Sequence, residues 1–153
     1  MEGSAGLLLF PNEVKLFKKK HIRPCLAMGK SLTHGSFKVI TYQLTENVCP
    51  HFEDNSCGIY RERPLSCRGF PFVSSRYFMQ ADFETDPACT FMKDLKEESG
   101  VIHNFADCES IDARRLCHRK LGDYFMRRNR KTRSWVFDLK TEKWERYPGD
   151  RTS

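Results

Sequence analysis

The stretch from Cys49 to Pro71 constrains this chain more than any other. It carries Pro50, Asp54, Asn55, Gly58, Pro64, Gly69 and Pro71, and that density of turn-forming residues leaves room only for short helical or extended pieces. Three cysteines sit in it, Cys49, Cys57 and Cys67, and Cys89 follows after Pro87. An irregular centre of about 30 residues has too little repetitive structure to hold itself, and a bound metal is its commonest holder. Thiolates suit zinc or an iron–sulfur cluster, and four converging cysteines would complete one tetrahedral site. The spacing Cys49-x7-Cys57-x9-Cys67 lacks the close C-x2-C knuckle of most structural zinc sites. By spacing alone, a metal site and a set of small buried hydrophobes are equal readings.

The chain has 153 residues and seven cysteines. Its length predicts one domain, 1–153, able to bury roughly 68–70% of its unfolded surface without staples. An odd cysteine count forbids complete pairing within one chain. The longest apolar run, Gly6 to Phe10, falls far short of the ~20 residues a bilayer requires. It also makes a poor signal peptide, because Pro11 follows it and Lys18-Lys19-Lys20 lies after it rather than before. The expectation is a chain without a membrane span, in the cytoplasm, where thiols stay reduced and serve as ligands or catalytic groups.

The patterning predicts an α+β fold. Residues 11–21 read as a short helix, with Pro11 in the first turn, Asn12 as cap, and Val14, Leu16 and Phe17 as its stripe. Residues 36–44 are rich in β-branched and aromatic side chains and read as a strand, with a second strand over 76–84. Residues 106–129 read as the main helix, with Ala113, Leu116, Cys117, Leu121, Tyr124 and Phe125 at three- and four-residue steps. Residues 134–147 read as a terminal β-hairpin, in which Trp135, Phe137 and Leu139 alternate before a turn and Trp144 returns. Cys117 falls on the helix stripe and reads as core. Cys25, after Pro24, reads as a turn residue, and Cys108 stays unassigned. His51, two residues from Cys49, is an alternative ligand.

One segment carries a resemblance. Cys49-Pro50-His51-Phe52, then Cys57-Gly58-Ile59-Tyr60-Arg61-Glu62-Arg63-Pro64-Leu65-Ser66-Cys67-Arg68-Gly69-Phe70-Pro71-Phe72, resembles the signature of the YkgJ-type CxxCxxCC family of zinc- or iron-chelating domains. Residues 7–17 are similar to the segment that starts the first helix of that family. The cysteine cluster that names the family lies just before that segment, and residues 1–10 here contain no cysteine. The resemblance therefore implies a later ligand set only, namely Cys49, Cys57, Cys67 and Cys89. It further implies that Arg61, Arg63 and Arg68 surround the thiolates. Four thiolates on a divalent ion leave a net negative charge, which guanidinium groups offset while donating hydrogen bonds to sulfur. Tyr60 and Phe70 would close an apolar wall around the site. The family resemblance extends to flagellin lysine N-methylase, so a related methyltransferase is an alternative. No Gly-rich loop after a strand offers an adenosylmethionine pocket.

A third reading rests on charge. Residues 113–133 hold nine Lys/Arg and one acid, a local +8 against +6 for the whole chain. Arg114, Arg115, Arg119, Lys120, Arg127 and Arg128 could meet nucleic-acid phosphates or an acidic partner. The plain alternative is a solvated helix face.

Overall fold

The computed structural model describes residues 7–32, 37–70, 72–74, 83–85, 109–126 and 132–147. In chain order the elements are β1 (Leu8–Leu9), 3-10 turns at Val14–Leu16 and Lys19–His21, β2 (Ile22–Gly29), β3 (Lys38–Leu44), β4 (Phe52–Glu53) and β5 (Ser56–Cys57). A 3-10 turn at Tyr60–Glu62 follows, then α1 (Leu65–Arg68), β6 (Phe72–Ser74), β7 (Phe83–Thr85), α2 (Glu109–Met126), β8 (Arg133–Asp138) and β9 (Lys143–Arg146). The expected α+β class is observed. The residues fall into two compact units, Met1–Pro64 with Tyr124–Ser153, and Leu65–Asp123.

The first unit is built on an antiparallel sheet in the order β1-β3-β2-β8-β9. β3 is the expected strand. Ile40 and Thr41 are both buried, as are Gln43 and Leu44, so both faces of β3 are covered, as its near-continuous Val-Ile-Thr-Tyr run suits. β2 was not expected, because Pro24 lies within it and proline cannot donate to a ladder. The sheet accommodates that proline in two ways. β8 pairs with β2 only from Leu26 to Gly29, so Pro24 needs no partner on that side. The β2–β3 register also shifts between Pro24 and Leu26, leaving Cys25 at a bulge rather than in the turn its sequence neighbours suggested.

The segment expected as a helix over 11–21 instead forms two 3-10 turns. Phe17, after the first, is extended at φ −127° and ψ 153°. That backbone delivers its ring to a core with Leu9 and Leu44, on which Leu7, Leu16, Ile22, Tyr42, Cys49 and Ile59 also pack. Burying Phe17 outweighs the weak propensity of a three-residue stripe. Ahead of the first turn, Phe10 N donates to Glu13 Oε2 at 2.8 Å.

The terminal hairpin forms as expected, with Trp135 opposite Arg146 and Phe137 opposite Trp144. Its aromatics meet edge-on, Phe137 on Trp144 at 5.2 Å and Phe37 on Trp144 at 5.1 Å. Trp135 Nε1 donates to Gly29 O at 3.2 Å, tying the hairpin to β2. Asp138 closes the turn by accepting from Lys140 N at 2.7 Å and Thr141 N at 3.4 Å.

The expected main helix spans Glu109–Met126, and its residues up to Asp123 belong to the second unit. Ile111, Ala113 and Cys117 are buried, so the reading of Cys117 as core holds. Leu116, expected on the same stripe, is exposed. β6 pairs with β7 antiparallel. The strand expected over 76–84 lies outside the described residues except at 83–84. No helix among the described residues is long and apolar enough to cross a membrane.

Candidate metal centre

The turn-rich centre folds as a succession of tight local structures. β4 and β5 form a small hairpin with Glu53 opposite Ser56 and Phe52 opposite Cys57. Its two linking residues, Asp54 and Asn55, have φ of 48° and 59°. Two consecutive positive φ values define a type I′ turn, whose twist matches that of the strands it joins, and Asp and Asn tolerate that conformation best after glycine. Substituting Asn55 by isoleucine is expected to cost about 1–2 kcal/mol, while Asn55→Gly should not destabilise, as chemical denaturation would read.

The hairpin is also held at its base. Phe52 N donates to Cys49 O at 3.0 Å, and Gly58 N donates to His51 O at 2.8 Å. Cys49 and Cys57 thus flank one hairpin within the first unit. The side chain of Cys49 packs on the Leu9–Phe17–Leu44 core. Both are half-buried thiols outside any disulfide.

His51 is positioned by other contacts. Its Nε2 pairs with Leu16 O at 2.5 Å, and its ring lies 5.0 Å from that of Phe17. That nitrogen is therefore engaged with backbone, and His51 serves the packing of residues 14–17.

Downstream, Arg63 takes φ −49° and ψ 140°. This extended backbone is what a following proline imposes, and Pro64 then leads into α1. Arg63 folds back on Tyr60, donating from Nε to Tyr60 O at 2.9 Å, with its guanidinium carbon 3.8 Å from the ring centroid. Tyr60 and Phe70 are 62% and 52% exposed. The expected apolar wall is therefore not what these rings form; the face of Tyr60 carries a cation instead. Arg61 is exposed.

Cys67 lies in the second unit, on α1, and is half-buried and outside any disulfide. Gly69 N donates to Leu65 O at 3.0 Å and Phe70 N to Cys67 O at 3.1 Å, which closes the chain around the cysteine. Arg68 Nε sits 3.8 Å from Glu109 Oε1 at the start of α2. Both partners are substantially exposed, so this pair is worth little by itself. Cys89 and Cys108 lie outside the described residues. Among the described residues, no three Cys, His, Asp or Glu side chains form a group able to hold a metal ion.

The basic helix is more varied than its charge suggests. Arg115 Nη1 is 3.4 Å from Asp112 one turn earlier, and Arg119 is exposed. Lys120 is half-buried, and Arg127 and Arg128 lie outside the described residues. Arg114 is turned inward: its Nη2 donates to Ser66 O at 3.2 Å, and its Nε is buried without a hydrogen-bond partner. The sequence offered Arg114 only as one basic residue among many. The neighbouring signal was Gly69, directly after the Cys67-Arg68 pair.

Cys25 stands apart from these thiols at its β2 bulge. Burial pushes its thiol above the ordinary cysteine range. A raised pKa favours the folded state while the thiol stays protonated. That contribution is complete below the unfolded pKa and is lost as pH rises through the interval up to the folded value. In metal-free protein, Cys25 should therefore be alkylated more slowly than Cys49 or Cys57 at pH 8, as peptide mass spectrometry after a timed iodoacetamide pulse would show.

A family model described as "CxxCxxCC: Putative zinc- or iron-chelating domain" matches residues 11–90. No curated protein and no solved structure matches the chain. The matched region takes in more than half of the sequence and includes Cys25, Cys49, Cys57, Cys67 and Cys89, so the chain belongs to the CxxCxxCC family of zinc- or iron-chelating domains.

Proposed function

We propose that this protein binds zinc or an iron–sulfur cluster through the thiolates of Cys49, Cys57, Cys67 and Cys89. The observation that carries the reading is the family match over residues 11–90, which includes all four cysteines. The donor chemistry fits. Cys49, Cys57 and Cys67 are thiols outside disulfides and half-buried, accessible to an ion yet partly screened from water. Sulfur donors select zinc and iron–sulfur clusters over hard cations. In the bound state the metal would supply a fixed point for a centre made of turns and two-residue strands. Arg61 and Arg68 would bring positive charge near the thiolates, and Arg63 would do so from its seat on Tyr60.

The test is anaerobic purification followed by iron, sulfide and zinc analysis per chain. Close to one equivalent of zinc, or matched iron and sulfide with visible charge-transfer absorbance, is the expected result. Less than about a tenth of an equivalent of either metal would overturn the proposal, because structural sites bind far too tightly to empty on purification.

A further inference from the structure

Among the described residues of the second unit, the contacts between α1 and α2 include three that meet at the turn that carries Cys67. Arg68 pairs with Glu109 at 3.8 Å. Ser66 Oγ lies 3.9 Å from Cys117 Sγ. Arg114 Nη2 donates to Ser66 O at 3.2 Å. The third is the strongest, because its donor is charged and its carbonyl acceptor belongs to a buried residue.

Gly69 shows how closely the guanidinium is fitted. A Cβ at position 69 would stand 2.9 Å from Arg114 Nε, 3.0 Å from Cζ and 3.0 Å from Nη2. The guanidinium thus rests where a side chain would be, and a Cβ at position 69 would force it to shift. Arg114 therefore touches the turn on both sides of Cys67, by hydrogen bond at Ser66 and by packing at Gly69.

We propose that Arg114 is a positioning residue for the Cys67 thiol. It fixes the backbone from Ser66 to Gly69 so that Cys67 is presented in one orientation. Its role toward a metal rests on the reading of Cys67 as a ligand, whereas its hold on the turn does not.

The test uses the full chain in two variants, Arg114→Met and Gly69→Ala. The alanine keeps the arginine but pushes the guanidinium off the turn, so it serves alone if Arg114→Met fails to fold. In metal-free protein, hydrogen exchange at the Gly69 and Phe70 amides reads the turn itself. Both variants should speed that exchange about tenfold, the effect of losing one hydrogen bond from a charged donor. Amides of β2 and β3, in the other unit, should keep their protection. In cobalt-substituted protein, affinity should fall about 10–100-fold and thiolate charge-transfer intensity should drop, as for other residues that orient a metal ligand. Unchanged exchange at both amides in both variants would overturn the proposal. So would faster exchange with an unaltered cobalt spectrum and affinity, since Arg114 would then serve the fold without orienting the thiol. If wild-type protein binds no cobalt, the metal-binding reading falls, and amide exchange alone decides whether Arg114 holds the turn.

Discussion

Replacing Cys57 or Cys67 with alanine is expected to abolish retention of zinc or iron through purification and to lower stability by several kcal/mol. Structural zinc in small domains binds with an apparent free energy of roughly 10–16 kcal/mol, so one of four thiolates accounts for about 3 kcal/mol. Two cysteines serve as controls. Cys25→Ala, at the β2 bulge, should leave metal content unchanged. Cys117→Ala, in a buried position on α2, should lower the melting temperature while metal content remains. Measuring metal per chain and melting temperature on the same preparations separates the outcomes. Full metal retention in both Cys57→Ala and Cys67→Ala would sink the four-thiolate assignment. Metal loss without destabilisation would mean that the ion is carried rather than used to hold the fold.

The second large effect concerns the core. Leu9 is completely buried in the two-residue β1, at the centre of the cluster with Phe17 and Leu44. Leu9→Ala is expected to cost about 3–5 kcal/mol, the lost transfer energy plus the cavity that its neighbours cannot fill. The urea midpoint should fall with little change in slope. Val48→Ala is the matched control, because Val48 is exposed, and a change within about 0.5 kcal/mol is expected there. Cys49 packs on the same cluster. Leu9→Ala should therefore also weaken metal retention, although Leu9 is no ligand.

The parts of the fold legible in the sequence were those whose pattern agrees with their environment. β3 and the β8–β9 hairpin carry β-branched and aromatic residues in paired strands, and α2 carries a long repeat in which Ala113 and Cys117 are buried. The errors have physical causes. Pro24 hid β2, because a proline argues against a strand unless the strand is unpaired on one side at that point, as here. The stripe at Val14, Leu16 and Phe17 imitated a helix, but Phe17 reaches the core only from extended backbone. At the candidate site, the turn residues and cysteines were visible as a motif. The inward turn of Arg114 was not, because a basic residue on a basic helix gives no sign of which way it faces. The same holds for Tyr60, whose ring was expected to exclude water and instead receives Arg63.

The type I′ hairpin between Cys49 and Cys57 has a consequence in time. It closes over two residues, Asp54 and Asn55, and hairpins of this kind form within about 1–10 microseconds. The pairing of β8 with β2 joins Trp135 to Ala27 across most of the chain, and such distant contacts form far more slowly. A hairpin this small is only marginally stable alone, so before the sheet assembles it opens and closes repeatedly. During that interval the unfolded chain already samples the neighbourhood of two of its cysteines. Cys49 and Cys57 are thus brought near each other by the fastest-forming contact between them, ahead of the distant strand pairings.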